Sequence, residues 1–295
     1  LKQPSPAPSN SVMTNVWTGS YQMINRANLV IGKAPEITDN TALRDRVVGE
    51  AKFLRGWAYF ELVAQWGEVP LYTETVTSAI GFKGKSPVAD IYAFIIKDLT
   101  EAAAALPASY GASDNGRATS GAANSLLGKV LMQKGDYAAA KTALLKVYGK
   151  YSLVPNYLWN FDGDIKSDGG VTITAGHEFN AESIFEVVFV DKGDNNFNWG
   201  YNGEGSTSPL STVRNQEYGI TWGNVIPSDR FLNEFEANDP RYRFTIYEEG
   251  DNILTAPGAV DNINNPAATP PLQLTAAAMN IAASTKNGVT KKRFF

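Results

Sequence analysis

The chain has 295 residues, with 26 Lys plus Arg against 30 Asp plus Glu, a net charge of -4 and a pI near 5.2. That balance lacks the basic surplus phosphate contacts need, so nucleic acid is not an expected partner. With no Cys and one His, disulfides, thiolate chemistry and the common His-rich metal sites drop out, and neither a metal nor a cofactor is expected.

No window reaches 18 uninterrupted apolar residues, so no transmembrane helix is expected. The chain begins at Leu1 without a basic or apolar leader, which reads as a processed or trimmed chain. Three Pro in "LKQPSPAPSN" mark residues 1–10 as a flexible lead-in. The remainder, 11–295, is expected to be a single domain, helical over 11–150 and loop-rich with short strands and a short helix over 151–295.

From Ser11 to Ile31, Val16, Ile24, Ala27 and Ile31 recur with Trp17 and Tyr21 at threes and fours, predicting a first helix that stops at Gly32. A second helix is predicted from Thr41 to Trp66. Phe53, Trp57, Phe60 and Ala64 form one stripe and Leu54, Ala58 and Leu62 the next, so it should be buried on most sides. Gly67 and Pro70 end it. Arg55, on this apolar helix, reads as a paired framework residue, whereas Arg44, Asp45 and Arg46 read as a solvated face. Trp17, Trp57, Trp66 and Trp159 sit on or beside apolar stripes and are assigned to the core.

Ser86 as N-cap and Pro87 at the first turn open a third helix carrying Val88, Ile91, Ile95, Leu99, Ala102 and Leu106, closed by Pro107. A fourth, Thr119 to Lys134, and a fifth, Asp136 to Tyr148, are joined only by Gly135. Leu127, Gly128, Leu131, Gly135, Tyr137, Ala140, Leu144 and Val147 fall at the offsets of a tetratricopeptide repeat. In this pattern Gly128 and Ala140 allow close helix approach, while Tyr137 and Leu144 fill the gap that remains. One such pair cannot bury its outer faces, so neighbouring helices are required.

Beyond Tyr151 the texture changes. "ESIFEVVFV", Glu182 to Val190, is the clearest predicted strand. In residues 228–239 Phe231, Leu232 and Phe235 share a helical face, and "DPRYRFTIY" reads as a turn into another strand, with Arg241 pairing a local acid. Thr255 to Thr285 reads as a long surface excursion, and "KKRFF" as no recognisable closing element.

Several rival chemistries are legible and weak. "AIGFKGKS", Ala79 to Ser86, fits a relaxed phosphate loop and would make the chain an NTPase using Lys85, but no apolar strand runs into it and Pro87 follows at once. "HEFNAE" at His177 starts like a zinc-protease helix, but Ala181 stands where the second His belongs. Glu204 and Glu217 are the carboxylates nearest to a glycosidase setting and read as hydroxyl-binding or solvated groups. A repeat scaffold that holds a peptide in its groove is the remaining alternative.

"WTGSYQMINRAN", "FLRGWAYFELVAQWGEVPLYTE", "IYAFIIKDLTEAAAALP", "GRATSGAANSLLGKVLMQKGDYAAA", "AESIFEVVFV" and "FEANDPR", in this order, resemble the SusD-like (RagB/SusD) outer-membrane glycan-binding lipoproteins of Bacteroidetes. The resemblance spans roughly residues 12 to 245. It implies a mostly α fold of tetratricopeptide-like pairs with a minor-β, loop-rich portion, and no catalysis. It also implies a lipid anchor at the cell surface and partnership with a SusC-like TonB-dependent transporter. The lipid-bearing Cys is absent here, and members of the family are longer, so the chain is expected to lack final helices and to leave one end of the solenoid uncapped.

A sugar ring has one apolar face and a rim of hydroxyls, so its receptor needs an exposed aromatic plane with amides and charged groups around it. Residues 191–224 supply both. The predicted contacts are Trp199, Tyr201, Tyr218 and Trp222 as stacking planes, with Asn198 and Arg214 on the hydroxyls. Trp199 and Tyr201, two apart, face the same side if the segment is extended.

Overall fold

The computed structural model describes residues 11–78, 81–155, 157–160, 178–187, 226–239, 241–250, 252–254, 271–273 and 282–294. They fall into two compact units, 11–153 with 181–187, and 154–160, 178–180 and 226–294.

The first unit is helical: α1 (Ser11–Lys33), α2 (Thr41–Trp66), α3 (Val88–Ala105), α4 (Ser120–Lys134) and α5 (Tyr137–Leu145) pack in chain order. Local chemistry sets most of the ends. Asn40 caps α2 by accepting from the Leu43 amide at 2.9 Å, and Thr119 caps α4 through the Ala122 amide at 3.1 Å. Gly135 takes the left-handed conformation between α4 and α5, and Asp136 accepts from the Ala139 amide at 3.2 Å to start α5.

Three ends depart from the sequence pattern. Gly32 does not stop α1, which runs to Lys33 and gives way to a single 3-10 turn containing Pro35, a residue with no amide to donate. Ser86 does not cap α3; its amide pairs with the Val69 carbonyl at 2.9 Å, and Pro87 occupies the cap position. α5 ends at Leu145 and gives way to a turn, with Gly149 at φ 78.

The core lies between α1, α2, α3 and α4, with Ile24, Tyr59, Leu62, Ile91, Ile95, Leu99 and Val130 almost wholly enclosed. Burial of each such apolar side chain contributes about 1.5–3 kcal/mol. α2 is the central element, but its Leu54 and Ala64 face solvent, so the two stripes are narrower than the sequence implies. Trp17, Trp57 and Trp66 are half-buried against this core, Trp17 meeting Trp66 edge-on at 5.3 Å.

Inside this core sits an ion pair. Arg55 donates from Nε to Asp98 Oδ2 at 2.7 Å and from Nη2 to Oδ1 at 2.8 Å, so α2 grips α3 in a bidentate fork. Its Nη1 donates to Asn28 Oδ1 of α1 at 2.7 Å, and the guanidinium lies over the Phe94 ring, 4.7 Å from its centroid. Burial pushes the Asp98 carboxyl upward, and Arg55 opposes that shift.

The α4–α5 hairpin has one especially close approach. A Cβ on Gly128 would stand 2.5 Å from the Leu144 side chain, so Leu144 occupies the space Gly128 leaves, and Ala140 is buried beside it. Tyr137, expected to share that filling role, is 70% exposed. Its position at the start of α5 turns the ring to solvent.

The second unit carries short elements: α6 (Asp229–Asn233), α7 (Arg241–Thr245), β1 (Tyr247–Glu248), β2 (Asn252–Leu254), β3 (Pro271–Gln273), β4 (Ala283–Lys286) and β5 (Val289–Phe294). β1, β5 and β4 form one antiparallel sheet in that order, and β2 pairs with β3. The chain's end therefore does close an element: β4 and β5 form a hairpin around Asn287 and Gly288, both at positive φ. Part of the expected excursion from Thr255 to Thr285 is likewise strand, and Arg241–Thr245 is a helical turn before β1. Asp239 takes Arg241 Nε at 2.9 Å, which is the local pairing foreseen.

Two variants test the packing account. Asp98→Ala, which leaves the Arg55 charge buried without its partner, is expected to cost about 3–5 kcal/mol in chemical denaturation, whereas Lys52→Ala, which breaks the more exposed pair with Glu101, costs about 1 kcal/mol or less. Gly128→Ala is expected to destabilise by about 1–3 kcal/mol, and Leu144→Ala in the same chain should cancel part of that cost. Additive losses in the double variant would remove the Gly128–Leu144 contact from the account.

Candidate functional site

The residues that the sequence assigns to sugar contact, Trp199, Tyr201, Tyr218, Trp222, Asn198 and Arg214, lie outside the described residues. So do Glu204, Glu217 and His177. Both flanks of the segment are described.

The leading flank, 181–187, belongs to the helical unit. The β-rich run does not form a ladder through Val187, and its last residues, 188–190, lie outside the described residues. The run is held by side-chain burial instead: Phe185 meets Phe53 at 5.2 Å and Trp57 at 5.7 Å, both edge-on, and the Ser152 amide donates to Ala181 O at 3.1 Å.

The trailing flank belongs to the second unit. Ser228 caps α6 through the Phe231 amide at 3.2 Å, and Leu232 is fully buried. Asp229 accepts from the Thr285 amide at 2.9 Å, Asn233 Oδ1 from the Asn287 amide at 2.9 Å, and the Lys286 ammonium donates to Leu232 O at 2.8 Å and Phe235 O at 3.0 Å. α6 is thus stitched to the β4–β5 hairpin, so the chain that follows the aromatic segment has a fixed footing.

One exposed aromatic ring to which the sequence pattern assigns no role stands on the helical unit. Phe82, in the loop between α2 and α3, is 93% exposed. "AIGFKGKS" fits a relaxed phosphate loop in sequence. Ala79 and Ile80 lie outside the described residues, and the stretch before them, 71–78, contains no strand, so the strand–loop–helix setting such a loop needs is missing among the described residues. An aromatic among Gly and Lys is the signal that was available.

The base of this loop is fastened from four directions. Tyr59 Oη donates to Tyr72 O at 2.9 Å and accepts from the Tyr72 amide at 2.7 Å, and Tyr21 Oη donates to Pro70 O at 2.8 Å. Burial raises both phenols well above their usual range, which keeps those protons in place. Asn28 Nδ2 donates to Tyr72 O and Glu74 O, and Asn25 Oδ1 accepts from the Val76 amide. Lys83 donates its amide to Tyr72 Oη at 3.1 Å and its ammonium to Leu71 O at 3.1 Å, which leaves the Phe82 ring between a fixed base and solvent.

The perturbed carboxylates in the interior are framework. Asp98 is held by Arg55. Burial alone would raise the Glu248 carboxyl, but hydrogen bonds from Tyr242 and Arg293 outweigh it and hold it below the usual glutamate range. Burial, with Glu248 beside it, pushes the Tyr242 hydroxyl up to about 12. Among the described residues no three acidic or histidine side chains converge as a cation site, and no helix is long and apolar enough to cross a membrane.

Comparison with known proteins places this framework. Residues 4–132 match a SusD-like family model described as "Starch-binding associating with outer membrane". A SusD-like protein of Bacteroides ovatus is 26% identical over 254 residues, which cover 81% of this chain and 43% of the relative. A crystal structure of a SusD-like protein from Bacteroides fragilis superposes with a TM-score of 0.64 at 25% identity, covering 86% of this chain and 54% of that one. A structure described as a laminarin-binding SusD-like protein has the same fold, with a TM-score of 0.63 at 24% identity over 94% of this chain and 62% of that one. The chain spans less than half the length of the curated relatives it matches.

Proposed function

We propose that this chain, which matches a SusD-like family model over residues 4–132 and resembles a SusD-like structure in fold, is a non-catalytic receptor for an oligo- or polysaccharide at the outer surface of a Gram-negative cell. The observation that supports this reading is the family-model match over residues 4–132, joined to the likeness in fold to a SusD-like structure that covers 86% of this chain. In this reading the aromatic segment 191–224 is the capture surface. Trp199 and Tyr201 offer ring faces to the apolar side of a pyranose, Tyr218 and Trp222 extend that surface, and Asn198 and Arg214 bond the hydroxyl rim.

Phe82 offers a further exposed ring face on the helical unit. Binding of this kind needs no acid–base pair, which agrees with the engagement of Asp98 and Glu248 by arginines. Held by a lipid anchor in the outer membrane, the receptor would pass its glycan to a SusC-like TonB-dependent transporter.

Calorimetry with laminarin oligosaccharides, chosen because a protein of this fold is described as binding laminarin, and with hits from a glycan array, tests the reading. Trp199→Ala and Tyr201→Ala are each expected to weaken binding about tenfold, a change of about 1.4 kcal/mol, and Phe82→Ala less, with thermal stability unchanged. No glycan in either collection binding the parent chain, or binding untouched by all three substitutions, would refute the site.

A further inference from the structure

Lys83 and Lys85, the two cations of "GFKGKS", differ in what they do. Lys83 is spent on the protein: its ammonium donates to Leu71 O at 3.1 Å and lies over the Tyr72 ring, 5.5 Å from the centroid. Lys85 stands one residue before Ser86, whose amide is fastened to the Val69 carbonyl at 2.9 Å. Its own side chain is exposed and pairs with no carboxylate among the described residues. The loop therefore sets one free ammonium beside one free ring, that of Phe82.

Ring and ammonium fall within the reach of one ligand. Three residues of extended chain span at most about 11 Å, so Phe82 and Lys85 can meet neighbouring units of one oligosaccharide. The charge around them is one-sided: from Thr75 to Ala89 the sequence carries these two lysines and no acid. The chain as a whole has a net charge of -4, but at physiological salt exposed charges act over about 8 Å, so a ligand at this loop meets the local positive balance. A neutral hydroxyl rim is served by amides and needs no unpaired cation. An anionic substituent on the sugar does, because it forms the stronger, charge-assisted bond.

Resting on the receptor reading above, we propose that Lys85 sets the charge class of the glycan, favouring saccharides that bear uronate carboxylates or sulfate esters over neutral ones, while Phe82 stacks on the adjoining sugar. The Lys85 ammonium is a point charge without the fork geometry of a guanidinium, so it selects for negative charge and not for the shape of the anion.

The test is calorimetry at low and at high salt with oligogalacturonates, sulfated carrageenan oligosaccharides and laminarin oligosaccharides of matched length. The parent chain is expected to bind at least one anionic set about three- to fivefold more tightly than the neutral set at low salt, with the margin shrinking at high salt. Lys85→Gln should remove most of that margin, Lys85→Glu should reverse it and Lys85→Arg should keep it. Phe82→Ala, which removes the ring and leaves the charge, should weaken both classes and preserve the margin. Neutral sugars bound as tightly as anionic ones, or a margin indifferent to Lys85→Gln and Lys85→Glu, would overturn the role of Lys85 and leave the receptor reading standing. A parent chain that binds no saccharide would overturn both, and Lys85-dependent binding of ATP in its place would give the loop to nucleotide.

Discussion

The helical unit depends on a charge that has nowhere else to go. Arg55 sits in the middle of α2, inside an otherwise apolar core, and is tolerable there only because Asp98 of α3 takes two of its donors and Asn28 of α1 a third. A buried guanidinium permits few arrangements, since any slip of α3 along α2 or of α1 across both leaves it unpaired. The pair therefore fixes register more than it adds stability. Gly56, one residue on, lets Leu99 of α3 come within contact of the α2 backbone, so the polar fork and the close apolar approach enforce the same alignment.

That alignment reaches the surface through Asn28. Its carbonyl oxygen receives Arg55 while its amide donates to Tyr72 O and Glu74 O, so the residue that serves the buried charge also anchors the loop bearing Phe82. Arg55 itself donates to Thr73 O at 3.3 Å. The buried charge and the base of the loop that bears Phe82 are in this way parts of one hydrogen-bonded network. For the binding proposed above, such a base matters because a platform that must first be ordered spends binding free energy on its own ordering.

The helical half of the fold was legible in the sequence because its signals are local. Gly67 and Gly135 act within a turn of themselves, and the apolar spacing of α2 and α3 needs no knowledge of partners. The second unit was less legible because its pairing is remote: Glu248 meets Arg293 across 45 residues, and β1 is only two residues long. The β4–β5 hairpin did carry a readable mark, Asn287-Gly288, but its polar, lysine-bearing strands hide the alternation that flags a strand. The described part of the predicted strand, 182–187, misled in the opposite sense. Its β-branched and aromatic residues promised a ladder, and Phe185 instead spends its apolar surface on Phe53 and Trp57. Arg55 was recognisable as paired, though its acid was not, and Phe82 was overlooked because the lysines around it drew the reading toward phosphate.

The central proposal is that Trp199 and Tyr201 in the segment 191–224 stack on sugar. The most direct measurement is a crystal structure of the chain soaked with the tightest-binding oligosaccharide. The account predicts pyranose rings lying flat on Trp199 and Tyr201, with hydroxyls bonded by Asn198 and Arg214. Sugar bound elsewhere, with both rings packed into the protein interior, would contradict it.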